Sequence, residues 1–223
     1  MSKLVFICLV LIGLSSCRTT SRTKVSNDLP RTFSETYVDK RDNATYGIVQ
    51  VGNQRWFAEN LKYLTPNSIC YKQKKSNCSK FGRLYPHDEL DIVCPEGWRV
   101  PNIKDWQSLK SHFQQDSIFA LLDTVRWDNT TNHTNASGIS FSGTGYQMGK
   151  RLFLGEQAAT SIWLNQINKF DEYYHVHLYG GEGIEFKNSG YTTNEVFHAH
   201  PIHNLEHRRF SIRCVCEKSE ATH

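Results

Sequence analysis

Ten histidines in 223 residues are the first chemical anomaly of this chain. His175 and His177 stand two apart, and His198, His200, His203 and His207 crowd one later stretch. Alternate residues of a strand share a face, so the first pair presents two imidazoles side by side. Such a pair can chelate a transition metal, and a third ligand would make an open zinc site. The pattern goes no further. His-Glu-x-x-His is absent, and no nearby Asp or Glu completes a hydrolytic set. No Gly-x-Ser-x-Gly elbow appears. Gly180, Gly181 and Gly183 follow a strand without the Lys-Ser/Thr of a phosphate loop. Most of the loop histidines are expected to be solvated, and the sequence nominates no catalytic residue, metal ligand or cofactor.

Cysteine is the second reactive type, with seven copies. Cys8 lies in the apolar run Leu4 to Leu14, which follows Lys3. That run has the length of a signal-peptide core and is too short to span a bilayer. It ends in Leu14-Ser15-Ser16-Cys17, which resembles a bacterial lipobox and makes Cys17 the expected lipidated N-terminus of the mature chain. In such lipoproteins a diacylglycerol thioether and an N-acyl chain act together, and more than one chain makes anchoring stable. Arg18, rather than Asp, follows the cysteine, so by analogy the outer membrane is the expected location. Export makes disulfides plausible for Cys70, Cys78, Cys94, Cys214 and Cys216. Five is an odd number, so one of them stays free or pairs outside the chain.

Cys70 and Cys78 bracket a short polar loop. A bridge there closes about eight residues and contributes about 2.5 kcal/mol by chain entropy. Zinc is a poor alternative, since no second pair of ligands stands at a suitable spacing. Cys94 opens Cys94-Pro95-Glu96-Gly97-Trp98-Arg99-Val100-Pro101, where the two prolines and a glycine fix the backbone. A cysteine held so rigidly suits one half of a long-range bridge. In the last strand Phe210, Ile212, Cys214 and Cys216 alternate to one face, with Ser211, Arg213 and Val215 on the other. Only one of the two cysteines can hold Cys94, and Cys214 is favoured. That bridge would close about 120 residues and contribute just under 5 kcal/mol. Cys216 is then a strand residue or free thiol, with Arg213 pointing away from it and nothing to activate it.

The elements that must position these groups can be taken in order. Residues 1–16 read as the leader, 17–43 as a flexible tether rich in Arg, Thr, Ser, Lys and Asp, and 219–223 as a tail. The folded part is placed at 44–218. Tyr46–Val51 and Gln54–Phe57 form a hairpin about Gly52-Asn53. Asn102 caps a helix whose stripe is Ile103, Trp106, Leu109 and Phe113, and a second short helix is expected from Ser117 to Leu122. Residues 128–138 form a polar loop without an apolar anchor. Ile139, Phe141 and Tyr146 continue in strand spacing with Gly143 and Gly145 marking a turn or bulge. Further strands are expected at 160–164, 173–179 and 209–216, with long histidine-containing loops between them. Two helices with short strands indicate an α+β domain rather than a parallel α/β sheet.

Several of these pieces, taken in series, resemble the Fibrobacter succinogenes major paralogous domain, a family of secreted bacterial domains related to the C-type-lectin-like fold. They are Val51-Gly52-Asn53-Gln54-Arg55-Trp56-Phe57-Ala58-Glu59-Asn60-Leu61, Phe81-Gly82-Arg83-Leu84-Tyr85, Cys94 to Pro101, Trp106 and Phe210-Ser211-Ile212-Arg213-Cys214-Val215. The similarity covers roughly residues 44–217. It implies a C-type-lectin-like domain with two short helices, short antiparallel strands and long loops, stapled between its first helix and its terminal strand. It implies no catalytic residue. Pro86-His87-Asp88, Cys216 and the segment from Phe186 to His207 depart from the family pattern.

Function is bounded more by exclusion than by motif. The net charge is +4, with Lys and Arg scattered, so no basic stripe for nucleic acid appears. Calcium-dependent sugar binding in lectins uses Glu-Pro-Asn or Gln-Pro-Asp and a later Trp-Asn-Asp. Neither is present, and Trp127-Asp128-Asn129 has a different order. A related enzyme, the formylglycine-generating enzyme, uses redox cysteines, but Cys214-Val215-Cys216 reads as structural. The expectation is a membrane-anchored envelope lipoprotein whose non-catalytic domain binds a glycan or an envelope protein. Tyr173, Tyr174, Tyr179 and Tyr191 are candidates for stacking on sugar rings. The alternatives are a structural component of a surface complex and a metal-binding protein or metal-dependent enzyme built on the histidines.

Overall fold

The computed structural model describes residues 33–113, 118–128, 132–180 and 195–217. The leader, Cys17, the tether up to residue 32, Ser117, Gly181, Gly183, Tyr191 and the tail lie outside the described residues. Among the described residues no helix is long and apolar enough to cross a membrane.

The first sheet contains β1 (Glu35–Val38), β2 (Thr45–Val51), β3 (Gln54–Phe57) and the chain's last strand β9 (Val215–Glu217), in the order β1-β2-β3-β9. The β2–β3 hairpin turns where the sequence places it. Gly52 has φ +58°, and the space where a side chain would start is filled by the His112 ring 2.4 Å away. β1 is a departure from the sequence reading, which ran the tether to residue 43. Residues 35–38 pair in register with 45–48. The turn between them closes on Asp39, which is fully buried. Its carboxylate accepts from Arg41 N, Nε and Nη2, while Arg41 Nη1 donates to Val93 O. Burial pushes the Asp39 carboxyl up, but the Arg41 hydrogen bonds outweigh it and the pKa is lowered. A stretch that looks solvated by composition is thus pinned by one internal ion pair.

The second sheet contains β4 (Thr144–Gln147), β5 (Phe153–Glu156), β6 (Ala159–Ile167), β7 (Glu172–Tyr179) and β8 (Glu195–Pro201), in the order β5-β4-β6-β7-β8. Its pairs are antiparallel except β4 with β6, which run parallel at Gly145 and Thr160. β8 corrects the sequence reading of residues 198–200 as part of a loop: Glu172–Leu178 of β7 pair with Glu195–Pro201 in continuous register.

Two α-helices are present among the described residues, so the α+β class holds, but one sits elsewhere than expected. α1 (Lys75–Phe81) lies across the Cys70–Cys78 loop, and α2 (Ile103–Ser111) follows Asn102. The α2 cap is reciprocal: Asn102 accepts from Asp105 N, and Asp105 accepts from Asn102 N. Residues 118–121 form a turn rather than a helix, and Leu122 bridges to Phe141. Residues Ile118, Leu121 and Leu122 carry the right spacing but serve a turn-and-bridge segment. The 128–138 loop does have a buried anchor, because the His133 ring packs against Trp127 and Phe119.

Two apolar cores meet along residues 209–216. One gathers Trp56, Trp106, Trp127, Phe141, Val176 and Val215, and the other Phe57, Tyr85, Trp163, Phe210, Ile212 and Cys214. Of the strand expected at 209–216 only Val215–Glu217 forms, with isolated bridges at 209–211; Phe210, Ile212 and Cys214 still enter one core and Val215 the other, while Cys216 joins neither. Neither face meets solvent, since Phe210 through Val215 are all buried. Arg213 is consequently an interior cation, 1% exposed. Its Nη1 donates to Phe57 O and Ile139 O at 3.1 and 2.6 Å, and Nη2 to Asn60 Oδ1 at 2.8 Å. Its guanidinium carbon lies 4.6 Å from the centre of the Phe141 ring. Removing such a hub strands several buried acceptors, so Arg213→Met is expected to lower the unfolding free energy by about 3 kcal/mol. Urea unfolding of the variant tests this, and a loss below about 1 kcal/mol would show the network to be incidental.

Candidate functional site

The pleat of β7 divides its side chains between two surfaces. Val176 and Leu178 enter the first core. Tyr173, His175, His177 and Tyr179 face the opposite side. The register sets His198 opposite His175 and His200 opposite Tyr173, and residues opposite each other in a sheet share a face. Four imidazoles therefore form one cluster. The His175 ring lies 5.2 Å from that of His198 and 5.1 Å from that of His200, in nearly parallel stacks. His177 lies 5.9 Å from His198, edge-on. Phe210, at 4.4 Å from His175, joins this cluster to the second core.

The cluster lines an open cavity of about 340 Å³, shared with Tyr146, Met148, Tyr179 and Arg208. Tyr146, on β4, meets His177 edge-on at 4.5 Å. Arg208 arrives from the segment between β8 and β9. It donates through Nε to Asn204 O and through Nη1 to Met148 Sδ and His200 Nε2. Among the described residues it meets no carboxylate, and none lines the cavity. Two ring nitrogens of the cluster are buried with no hydrogen-bond partner, His175 Nδ1 and His177 Nε2. The other nitrogen of His177, Nδ1, lies 2.7 Å from Ser161 Oγ.

All four imidazoles are held neutral near pH 7. Burial lowers His177 to about 3, with His198 and His200 adding to the effect. Burial, then Arg208 and His198, lowers His200 to about 4, against a small opposing pull from Glu172. His175 is pushed well below the usual range by burial and then by His177, His200, His198 and Arg208. His198 is lowered by burial and Arg208. Neutral imidazoles can ligate a metal, but stacked parallel rings do not aim their nitrogens at one point. Among the described residues no three His, Cys, Asp or Glu side chains are set to hold a metal ion. Arg208 also occupies the lone pair of His200 Nε2.

The sequence brought His175 and His177 together correctly and grouped His198 and His200 with His203 and His207. The structure separates that second group. His203 is exposed, and His207 lies 3.5 Å from Glu206, outside the cavity. Tyr146, Met148 and Arg208 were not singled out; only strand register connects them to the histidines. Tyr179 is buried, and Tyr173 and Tyr174 are half-buried, so none is a free surface platform. The cysteines join as Cys70–Cys78 and Cys94–Cys214, leaving Cys216 half-buried and free. A cation does face Cys216: Arg55 lies opposite it in the β3–β9 register. Burial outweighs Arg55, and the thiol pKa is raised. A second cleft, of about 230 Å³, has Lys62, Lys80 and Arg126 at its walls, but Arg213 and Asn60 line it too, and both hold the fold together.

Among the described residues, two sheets linked by residues 209–217, two short helices and two disulfides define an α+β domain that carries a histidine-lined cavity on its larger sheet. The chain belongs to the Fibrobacter succinogenes major domain family, whose model matches residues 49–216, a span that includes both disulfides and every cavity residue. No curated protein and no solved structure matches it.

Proposed function

We propose that the chain is an envelope lipoprotein whose non-catalytic, C-type-lectin-like domain binds a glycan in the histidine-lined cavity. The cavity carries this reading. Its walls combine ring faces with a few inward polar groups, the usual makeup of a small-ligand site. Tyr146 supplies aromatic surface for the C–H face of a sugar, and the imidazoles supply hydrogen bonds to its hydroxyls. The lectin-like part of the reading is supported by the way β9 returns beside β3 while Cys214, the residue before it, is bonded to the segment that leads into α2.

The full chain, displayed against a glycan array, is expected to retain a restricted set of glycans; uniform absence of binding would overturn the reading. The anchor is tested separately. Wild-type chain is expected to sediment with membranes after a salt wash, and Cys17→Ser to be released. Retention of Cys17→Ser in the washed membranes would remove the lipid anchor from the proposal.

A further inference from the structure

Arg208 is the unusual member of the cavity. A half-buried guanidinium ordinarily finds a carboxylate, because its charge is costly to desolvate alone. This one has a carbonyl, a thioether and an imidazole nitrogen. Beside it, His175 Nδ1 and His177 Nε2 are buried without partners, on residues only 2% and 5% exposed. Buried polar atoms are satisfied in nearly all folded proteins, so two orphans on residues that line one cavity mark a site built for a polar partner. Its charge follows from the neighbours. A divalent cation would sit against an arginine with no carboxylate to offset it, and would find His200 Nε2 already engaged. An oxyanion finds the opposite: a fork of N–H donors and imidazoles able to donate. When His177 Nε2 carries the hydrogen, Nδ1 accepts from the Ser161 hydroxyl 2.7 Å away, so the donor tautomer is supported from behind.

We infer that the cavity recognises an oxyanion carried on a sugar ring, with Arg208 as its charge partner and His177 and His175 as neutral donors. The inference rests on the glycan-binding reading and narrows it to acidic glycans. A uronate carboxylate and a sugar phosphate ester share this chemistry. Both fit the requirement for charge-assisted hydrogen bonds next to an aromatic wall.

Isothermal titration of the full chain in detergent separates the sources. The titrants are glucuronate, glucose 6-phosphate, glucose, inorganic phosphate and zinc chloride. One of the two acidic sugars is expected to bind roughly tenfold or more tighter than glucose, and the tighter of the two names the source. In Arg208→Gln that preference should vanish while the circular dichroism spectrum and melting temperature stay within the wild-type range. Should Arg208→Gln fail to fold, His177→Phe serves as the second variant, with the same loss expected. Glucose binding as tightly as the acidic sugars would overturn the inference. So would an anion preference surviving in the variants, inorganic phosphate matching both acidic sugars, or stoichiometric zinc retention. If neutral glycans alone are held on the array, only this inference falls; if nothing is held, the binding reading falls with it.

Discussion

Cys94→Ala/Cys214→Ala is expected to lower the unfolding free energy by about 5 kcal/mol and the melting temperature by about 10–20 °C. The bridge spans 120 residues of sequence. Without it the unfolded chain regains the freedom of a very long loop. By the same model, Cys70→Ala/Cys78→Ala opens an eight-residue loop and is expected to cost about half as much, near 2.5 kcal/mol. The long bridge also guards a vulnerable junction. Cys214 is buried in the second core, and its carbonyl accepts from Phe57 N. Val215 pairs with both Trp56 and Arg99. Residues 210–215 therefore close the gap between the two sheets late in the chain, where non-local contacts are entropically hardest to form. Replacing both cysteines keeps Cys216 from capturing a stray thiol. Urea denaturation of the two double variants at pH 7 gives the comparison. A long-bridge variant less destabilised than the short-bridge one would contradict the loop-closure account.

How much of this was legible in the sequence varies with how local the determining contacts are. The β2–β3 hairpin is written in Gly52-Asn53, and α2 in Asn102 with Asp105 three residues on, because turn and cap are satisfied within a few residues. The Cys70–Cys78 bridge was legible from the short loop it closes and Cys94 from its rigid flanks, whereas alternation alone left Cys214 and Cys216 on one face. β1 was not legible, since its turn depends on Asp39 and Arg41 closing on each other and on Val93 fifty-two residues away. α1 offers only Phe81 to the interior, so no apolar stripe announces it. β8 places histidines at alternate positions where apolar residues usually signal a strand. Arg213 was placed only on the face away from Cys216; nothing local reveals that both sides of residues 210–215 are covered. The cavity follows the same rule. One pair of histidines was visible from spacing, whereas the other pair, Tyr146 and Arg208 came together only through the registers of β4, β7 and β8.

Acid is expected to dismantle this cavity well before ordinary carboxylate titration would. In the unfolded chain each histidine binds a proton near 6.5, but in the folded chain His177 does so only at about 3 and His200 at about 4. The unfolded state therefore binds more protons throughout that interval, and stability must fall as pH falls. Above about pH 7 nothing is lost. Below 6.5 the His177 contribution declines, reaching about 2 kcal/mol of loss at pH 5 and about 5 kcal/mol below pH 3. His175 and His198 act in the same direction. The groups facing His177 offer no relief: His198 and His200 from β8, Tyr146 from β4 and Arg208 carry no negative charge at these pH values. Glu172 opposes the shift only at His200. Asp39, whose pKa is lowered from 3.8, adds its own loss only at still lower pH, so an interval from pH 7 to 5 isolates the imidazoles. Urea unfolding of the wild type is expected to lose stability across that interval, and His177→Gln to recover about 2 kcal/mol of the loss. An equal loss in the variant, or an NMR titration of His177 near 6.5, would refute the assignment. An oxyanion in the cavity stabilises each protonated imidazole, so saturating acidic sugar is expected to move the acid transition to lower pH, joining the stability of the fold to the occupancy of its site.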